Sequence, residues 1–90
     1  MSRAAWLARL HAWLIEAQPG LDGWPISENT ELFEELGLDS LAFEAVLDRL
    51  RGELGGQVSL IAWLNTLQSQ GARLGVVLDL IEAHERAHAG

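Results

Sequence analysis

Ninety residues, 49% of them apolar and 21% charged, suffice for one globular domain spanning 1–90 and are not the composition of a disordered chain. The absence of cysteine excludes a disulfide framework, a thiolate metal site and a cysteine nucleophile. A formal net charge of −7 with no lysine argues against direct nucleic-acid binding, and no run approaches the ~18 apolar residues of a membrane span. The N-terminus Met1-Ser2-Arg3-Ala4-Ala5-Trp6 mimics the start of a signal peptide. Arg9, His11 and Glu16 interrupt it and no small-residue cleavage site follows, so a soluble, cytoplasmic protein is expected.

In chain order, residues 3–17 read as the first helix. Trp6, Leu7, Leu10, Trp13, Leu14 and Ala17 recur at three- and four-residue spacings, Ser2 is its candidate N-cap and Pro19-Gly20 its stop. Trp6 and Trp13 share a face and read as core anchors, the alternative being a partner-facing aromatic patch. Residues 18–38 form a long connection rich in Pro, Gly, Ser and Asn. A connection of this length needs pins, and Leu21, Trp24 and Ile26 are expected to drop into the core. Within it, residues 30–37 predict one or two helical turns, with Thr30 as cap, Leu32, Phe33 and Leu36 facing inward and Gly37 as terminator.

Residues 40–54 read as the second helix, with an apolar stripe of Leu41, Phe43, Val46, Leu47, Leu50 and Leu54. Glu44 and Asp48 share its exposed face, Arg49 and Arg51 suit its C-terminal end, and Gly55-Gly56 ends it. Residues 59–68 predict a third helix capped by Ser59, followed by the polar break Gln68-Ser69-Gln70-Gly71. Residues 72–87 predict a fourth, with a stripe of Leu74, Val77, Leu78 and Ile81 and a polar tail, residues 82–90, expected to fray. No strand-like alternation occurs, so the fold class is all-α, a four-helix bundle with a long loop between helices one and two.

The charge is unevenly spread. Nine acids (Glu16, Asp22, Glu28, Glu31, Glu34, Glu35, Asp39, Glu44, Asp48) lie between Leu10 and Asp48, and all six arginines lie outside that window. Such a field attracts basic partner surfaces, although acids also serve solubility alone. Within the window, Asp39-Ser40-Leu41 stands at the head of the second helix. Asp39 or Ser40 can cap it, and a serine there presents its hydroxyl near the positive end of the helix dipole. Leu41 is open to two readings, core packing or partner contact.

The run Glu31-Leu32-Phe33-Glu34-Glu35-Leu36-Gly37-Leu38-Asp39-Ser40-Leu41, after a long loop and before an amphipathic helix, resembles the modification site of acyl and peptidyl carrier proteins. The resemblance covers most of the chain and implies a bundle of the acyl-carrier-protein type. It implies that a phosphopantetheinyl transferase attaches 4'-phosphopantetheine from coenzyme A covalently to Ser40. The arm's thiol would then hold acyl or aminoacyl cargo as a thioester, and the protein itself would catalyse nothing. Asp39, Leu41, Glu44 and Asp48 are the expected partner-recognition residues, read by the transferase, an acyl- or aminoacyl-loading enzyme, and ketosynthase, condensation or tailoring enzymes. Because the acids precede Ser40 as much as they follow it, partners are expected to read the loop as well as the second helix.

Asp before Ser, and the dilution of the second helix's acids by Ala42, Phe43 and Arg49, point by the same analogy to a discrete, monomeric carrier of polyketide or nonribosomal peptide biosynthesis. The competing class is a small acidic interaction module without a prosthetic group. His84 and His88 share a helical face but lack a third ligand, and a Ser-His-Asp hydrolase lacks its Gly-x-Ser-x-Gly elbow; neither a metal site nor a catalytic residue is expected. Phe43, Val46, Val58, Ile61 and Trp63 could form a cargo slot, or simply core.

Overall fold

The structure, a computed structural model, describes residues 2–55 and 58–88, the last through its backbone alone. Four helices follow in order: α1 (Arg3–Ala17), α2 (Ser40–Glu53), α3 (Leu60–Gln70) and α4 (Leu74–His88). The all-α four-helix expectation is met, with no strand among the described residues. α1 packs on α2 and α4, and α3 packs on α4. Leu10 and Leu14 of α1, Leu47 and Leu50 of α2, and Leu74, Leu78 and Ile81 of α4 are all but fully buried. Each such side chain contributes about 1.5–3 kcal/mol by leaving water.

The helix starts follow from local chemistry. The amides of Ala5 and Ala62 donate to the hydroxyls of Ser2 and Ser59 at 3.1 and 3.2 Å, so both predicted caps form. Two cation pairs tie α1 to α2: Arg9 meets Glu53 and Arg49 meets Glu16, each at 2.5 Å. The Arg9 guanidinium also covers the Trp6 and Trp13 rings, which meet edge to face in the core.

The long connection is pinned less by side chains than by its backbone. The first amides of a helix have no partner within it. In α4 those of Leu74 and Gly75 donate to the carbonyls of Thr30 and Glu28 at 3.1 and 2.8 Å. In return the Leu32 amide donates to the Ala72 carbonyl at 2.8 Å, making an antiparallel bridge between Glu31 and Arg73. Gly75 permits this approach, because a Cβ there would stand 2.9 Å from the Glu28 carbonyl oxygen. Arg3 locks the same junction from α1. Its guanidinium pairs with Glu28 at 2.5 Å, with Asp79 at 2.9 Å and with Glu82. Its hydrogen bond holds the Glu28 carboxyl below the ordinary glutamate range.

Several expectations are corrected here. Trp24 does not enter the core; it is 48% exposed, while Leu21 and Ile26 do the pinning. Pro25 disfavours helical backbone at Trp24, and the chain there turns away from the core. Phe33 is 43% exposed rather than inward-facing, since the single turn over residues 31–36 buries Leu32 and Leu36 and leaves Phe33 beside them. Thr30 does not cap that turn. Its buried hydroxyl accepts from the Ser27 amide at 2.8 Å, while the Glu31 amide donates to Glu35. α3 runs to Gln70, absorbing the predicted break as Ser69 and Thr66 hydroxyls bond back to Thr66 and Ala62 carbonyls. The α4 tail stays helical to His88, held by Arg3 on Glu82, by the Trp6 indole on Glu85 and by His84 against the Leu54 carbonyl. The predicted fraying at Ala89 and Gly90, the contribution of Gly56 to the end of α2 and the His88 side chain lie outside the described residues.

Gly75→Ala should therefore destabilise the protein, the clash of about 1–3 kcal/mol outweighing the ~1 kcal/mol gain in helix propensity. Gly52→Ala in α2, where an added Cβ meets nothing within 4 Å, should stabilise it. Thermal unfolding followed by circular dichroism compares the two. A second outcome concerns acid. Because the folded Glu28 pKa is depressed, its contribution is present at neutral pH and is lost as pH falls below about 4.3 and through the folded value. The stability gap between wild type and Arg3→Gln in urea titrations should accordingly narrow between neutral pH and about pH 3.

Candidate functional site

The segment that carries Ser40 is fixed on both sides by burial. Leu36 and Leu38 precede it in the core, and Ala42 and Phe43 follow it there. Gly37, at φ +62°, makes the left-handed turn that lets Leu36 and Leu38 both point inward. The Leu38 amide donates to the Leu32 carbonyl at 3.1 Å, which ties the turn to the strap already bound to α4. Just past the end of α1, the Gln18 side-chain amide donates to the Leu36 carbonyl at 3.3 Å. Ser40 thus stands at the end of a braced segment, and Asp39, Ser40 and Leu41 are the residues left outside the core between Leu38 and Ala42.

Of the two candidate caps, Asp39 takes the role. Its carboxylate accepts from the Ala42 amide at 2.7 Å, and its carbonyl accepts from the Phe43 amide. Ser40 becomes the first helical residue, exposed, with its side chain released from capping. The chain has seven side-chain hydroxyls, five serines and two threonines, and no tyrosine. Ser2, Ser27, Thr30 and Ser59 accept from backbone amides, and Thr66 and Ser69 donate to carbonyls. Ser40 alone has no hydrogen-bond partner for its hydroxyl among the described residues. The backbone amides of Ser40 and Leu41 likewise meet no acceptor among the described residues, so they face outward at the positive end of α2. An exposed hydroxyl beside two open amides favours negative charge at the head of α2.

A family model described as the phosphopantetheine attachment site matches residues 13–74. The chain belongs to that family. No curated protein and no solved structure matches it. The matched span runs from Trp13 of α1 to Leu74 of α4, so it takes in the whole connection, α2, α3 and, at the junction with α4, the backbone pairs of Leu32 with Ala72 and of Thr30 with Leu74. Carrier proteins of this family bear 4'-phosphopantetheine covalently and generally carry rather than catalyse, interacting with transferases and synthases. No helix among the described residues is long and apolar enough to cross a membrane.

Around Ser40 the predicted residues are distributed as follows. Leu41 is 78% exposed, which removes core packing as its role. Glu44 and Asp48 lie exposed on α2, and Asp39 is exposed while its carboxylate serves as the cap. The suggested slot does not form from its five residues: Val58 and Trp63 are buried in the core, and Ile61 turns to solvent. Phe43 instead lines an open groove of about 230 Å³ with Phe33, Leu64, Leu67, Gln68 and Ala72. Near the site, Gln18 escaped sequence reasoning and Phe33 was misplaced by it. Gln18 had no visible signal, because its partner is a distant backbone carbonyl. Phe33 was legible in principle, since one helical turn that buries positions i and i+4 cannot bury i+1 equally well.

Replacing Asp39 by Ala should cost about 1 kcal/mol through the lost cap, whereas Asp39→Asn should retain most of it. Ser40→Ala should leave the denaturant midpoint nearly unchanged, because its hydroxyl makes no hydrogen bond among the described residues. Equal losses for Asp39→Ala and Ser40→Ala would contradict this assignment of roles.

Proposed function

We propose that Ser40 is the residue that takes the phosphopantetheine, and that residues 1–90 act as one carrier domain. The observation that carries this reading is the release of the Ser40 hydroxyl at an exposed helix start, while every other hydroxyl of the chain is engaged in a hydrogen bond. In the transfer, the Ser40 oxygen bonds to the phosphorus of coenzyme A next to the pantetheine. The phosphoanhydride bond breaks, adenosine 3',5'-bisphosphate leaves, and the hydroxyl proton passes to a base of the transferase. Ser40 supplies the nucleophilic oxygen, Asp39 keeps that oxygen uncommitted, and the open amides of Ser40 and Leu41 favour the resulting negative charge. The arm's terminal thiol supplies the thioester chemistry that a chain without cysteine lacks.

Cargo is exchanged with partner enzymes through the exposed residues nearest the arm, and Asp39, Leu41, Glu44 and Asp48 are the contacts proposed for them. The Asp-Ser form and the sparse acids of α2 support a monomeric carrier in polyketide or nonribosomal peptide assembly, loaded by an acyl- or aminoacyl-activating enzyme in the cytoplasm.

Incubation with coenzyme A, magnesium and a promiscuous transferase, followed by intact mass measurement, tests the reading. Wild type should gain the mass of one phosphopantetheine and Ser40→Ala none. An unchanged wild-type mass with several transferases would overturn it and leave the acidic interaction module.

A further inference from the structure

The acidic window is not uniformly free. In its N-terminal half, Glu16 is taken by Arg49 and Glu28 by Arg3. In its C-terminal half, Glu35 and Asp39 accept backbone amides, and no cation pairs with Glu31, Glu34, Glu44 or Asp48 among the described residues. These four carboxylates flank Ser40 on the loop side and on α2. The C-terminal half of α2 changes sign, with Arg49 and Arg51 exposed there. A basic surface laid along the full length of α2 would therefore meet cations. Tilted toward the loop, it meets carboxylates throughout.

The loop side also carries an apolar anchor. Phe33 stands 43% exposed, and its ring packs edge-on against Phe43 with centroids 5.1 Å apart. Phe43 lies three residues beyond Ser40, about 4.5 Å of helix rise. Phe33 is thus held by the same helical turn that presents Ser40, while Leu41 projects beside Ser40 itself. The phosphate donor adds a further constraint. Coenzyme A is a polyanion, and the carboxylates around Ser40 cannot neutralise it. The cationic side chains that hold coenzyme A at this serine beside magnesium therefore come from the transferase, so a positive surface is brought against these acids when the reaction occurs.

From this we infer that Phe33 and Glu34 form, with Leu41 and Glu44, one docking face straddling Ser40, and that it fits a transferase surface made of an apolar socket with a basic rim. The inference rests on Ser40 being the attachment residue. The loop supplies half of the face, and the C-terminal half of α2 is left out of it. Phe33 fills the socket from the loop and Leu41 from the helix; Glu34 and Glu44 meet the rim on either side.

Transferase kinetics with coenzyme A and magnesium test it on the full chain. Glu34→Arg should lower kcat/KM about tenfold at low salt, mainly through KM, and the loss should shrink as salt screens it. Phe33→Ala should lower kcat/KM about tenfold with little salt dependence. The double variant Ala83→Arg, Ala87→Arg makes the same change in net charge near the C-terminal end of α4, where both positions are exposed, and should stay near wild type. Circular dichroism confirms that all three fold. Wild-type kinetics for both Glu34→Arg and Phe33→Ala would overturn the docking face. So would equal losses for Glu34→Arg and the α4 double variant, since net charge alone would then explain the effect. A wild-type chain that takes up no phosphopantetheine would overturn the attachment reading, and the docking face with it.

Discussion

The first two amides of α4 need acceptors, and the long connection supplies them. That exchange, Thr30 and Glu28 carbonyls against Leu74 and Gly75 amides with Leu32 answering to Ala72, is the constraint on which the rest depends. An unmet buried amide costs about 1–3 kcal/mol, so the strap and the helix start hold one another in place. With the strap fixed, Leu32, Leu36 and Leu38 fall into the core in sequence, and Gly37 turns the chain between the last two. The position of Ser40 follows from those burials rather than from any contact of its own. Arg3 then closes the junction from a third direction, joining α1, the strap and α4 through one guanidinium.

At the start of α2 two adjacent polar residues divide two jobs. The carboxylate of Asp39 meets the capping need of the helix, which leaves the neighbouring hydroxyl without a hydrogen bond among the described residues. Capping and exposure of a free hydroxyl are thereby divided between adjacent residues. A serine that capped its own helix would have to give up that hydrogen bond to be modified. Here the brace lies behind Ser40, in Leu36, Leu38 and the Gln18 side chain, and Ser40 itself is exposed.

Much of this was legible in the sequence, for identifiable reasons. The four helices follow from three- and four-residue apolar spacing, and the Ser2 and Ser59 caps from residue type beside a periodic run. The Asp39-Ser40-Leu41 stretch, read with Leu32, Phe33 and Gly37, led to the family that the matched span supports. What was not legible depends on distant partners. The α4 tail reads as polar and frayed because its stabilising groups, Arg3, Trp6 and the Leu54 carbonyl, come from other parts of the chain. Thr30 reads as a helix cap because its service to α4 is performed by its carbonyl, which every residue has. Trp24 and Phe33 were placed inward on hydrophobicity alone, whereas Leu21, Ile26, Leu32 and Leu36 already filled the available positions.

The account turns on one hydroxyl among seven. Fragmentation mass spectrometry of the wild-type protein after reaction with a transferase reads that choice directly, with no substitution introduced. The account predicts that all of the added phosphopantetheine maps to Ser40. Modification at Ser2, Ser27, Ser59 or Ser69, or spread among several of them, would contradict it.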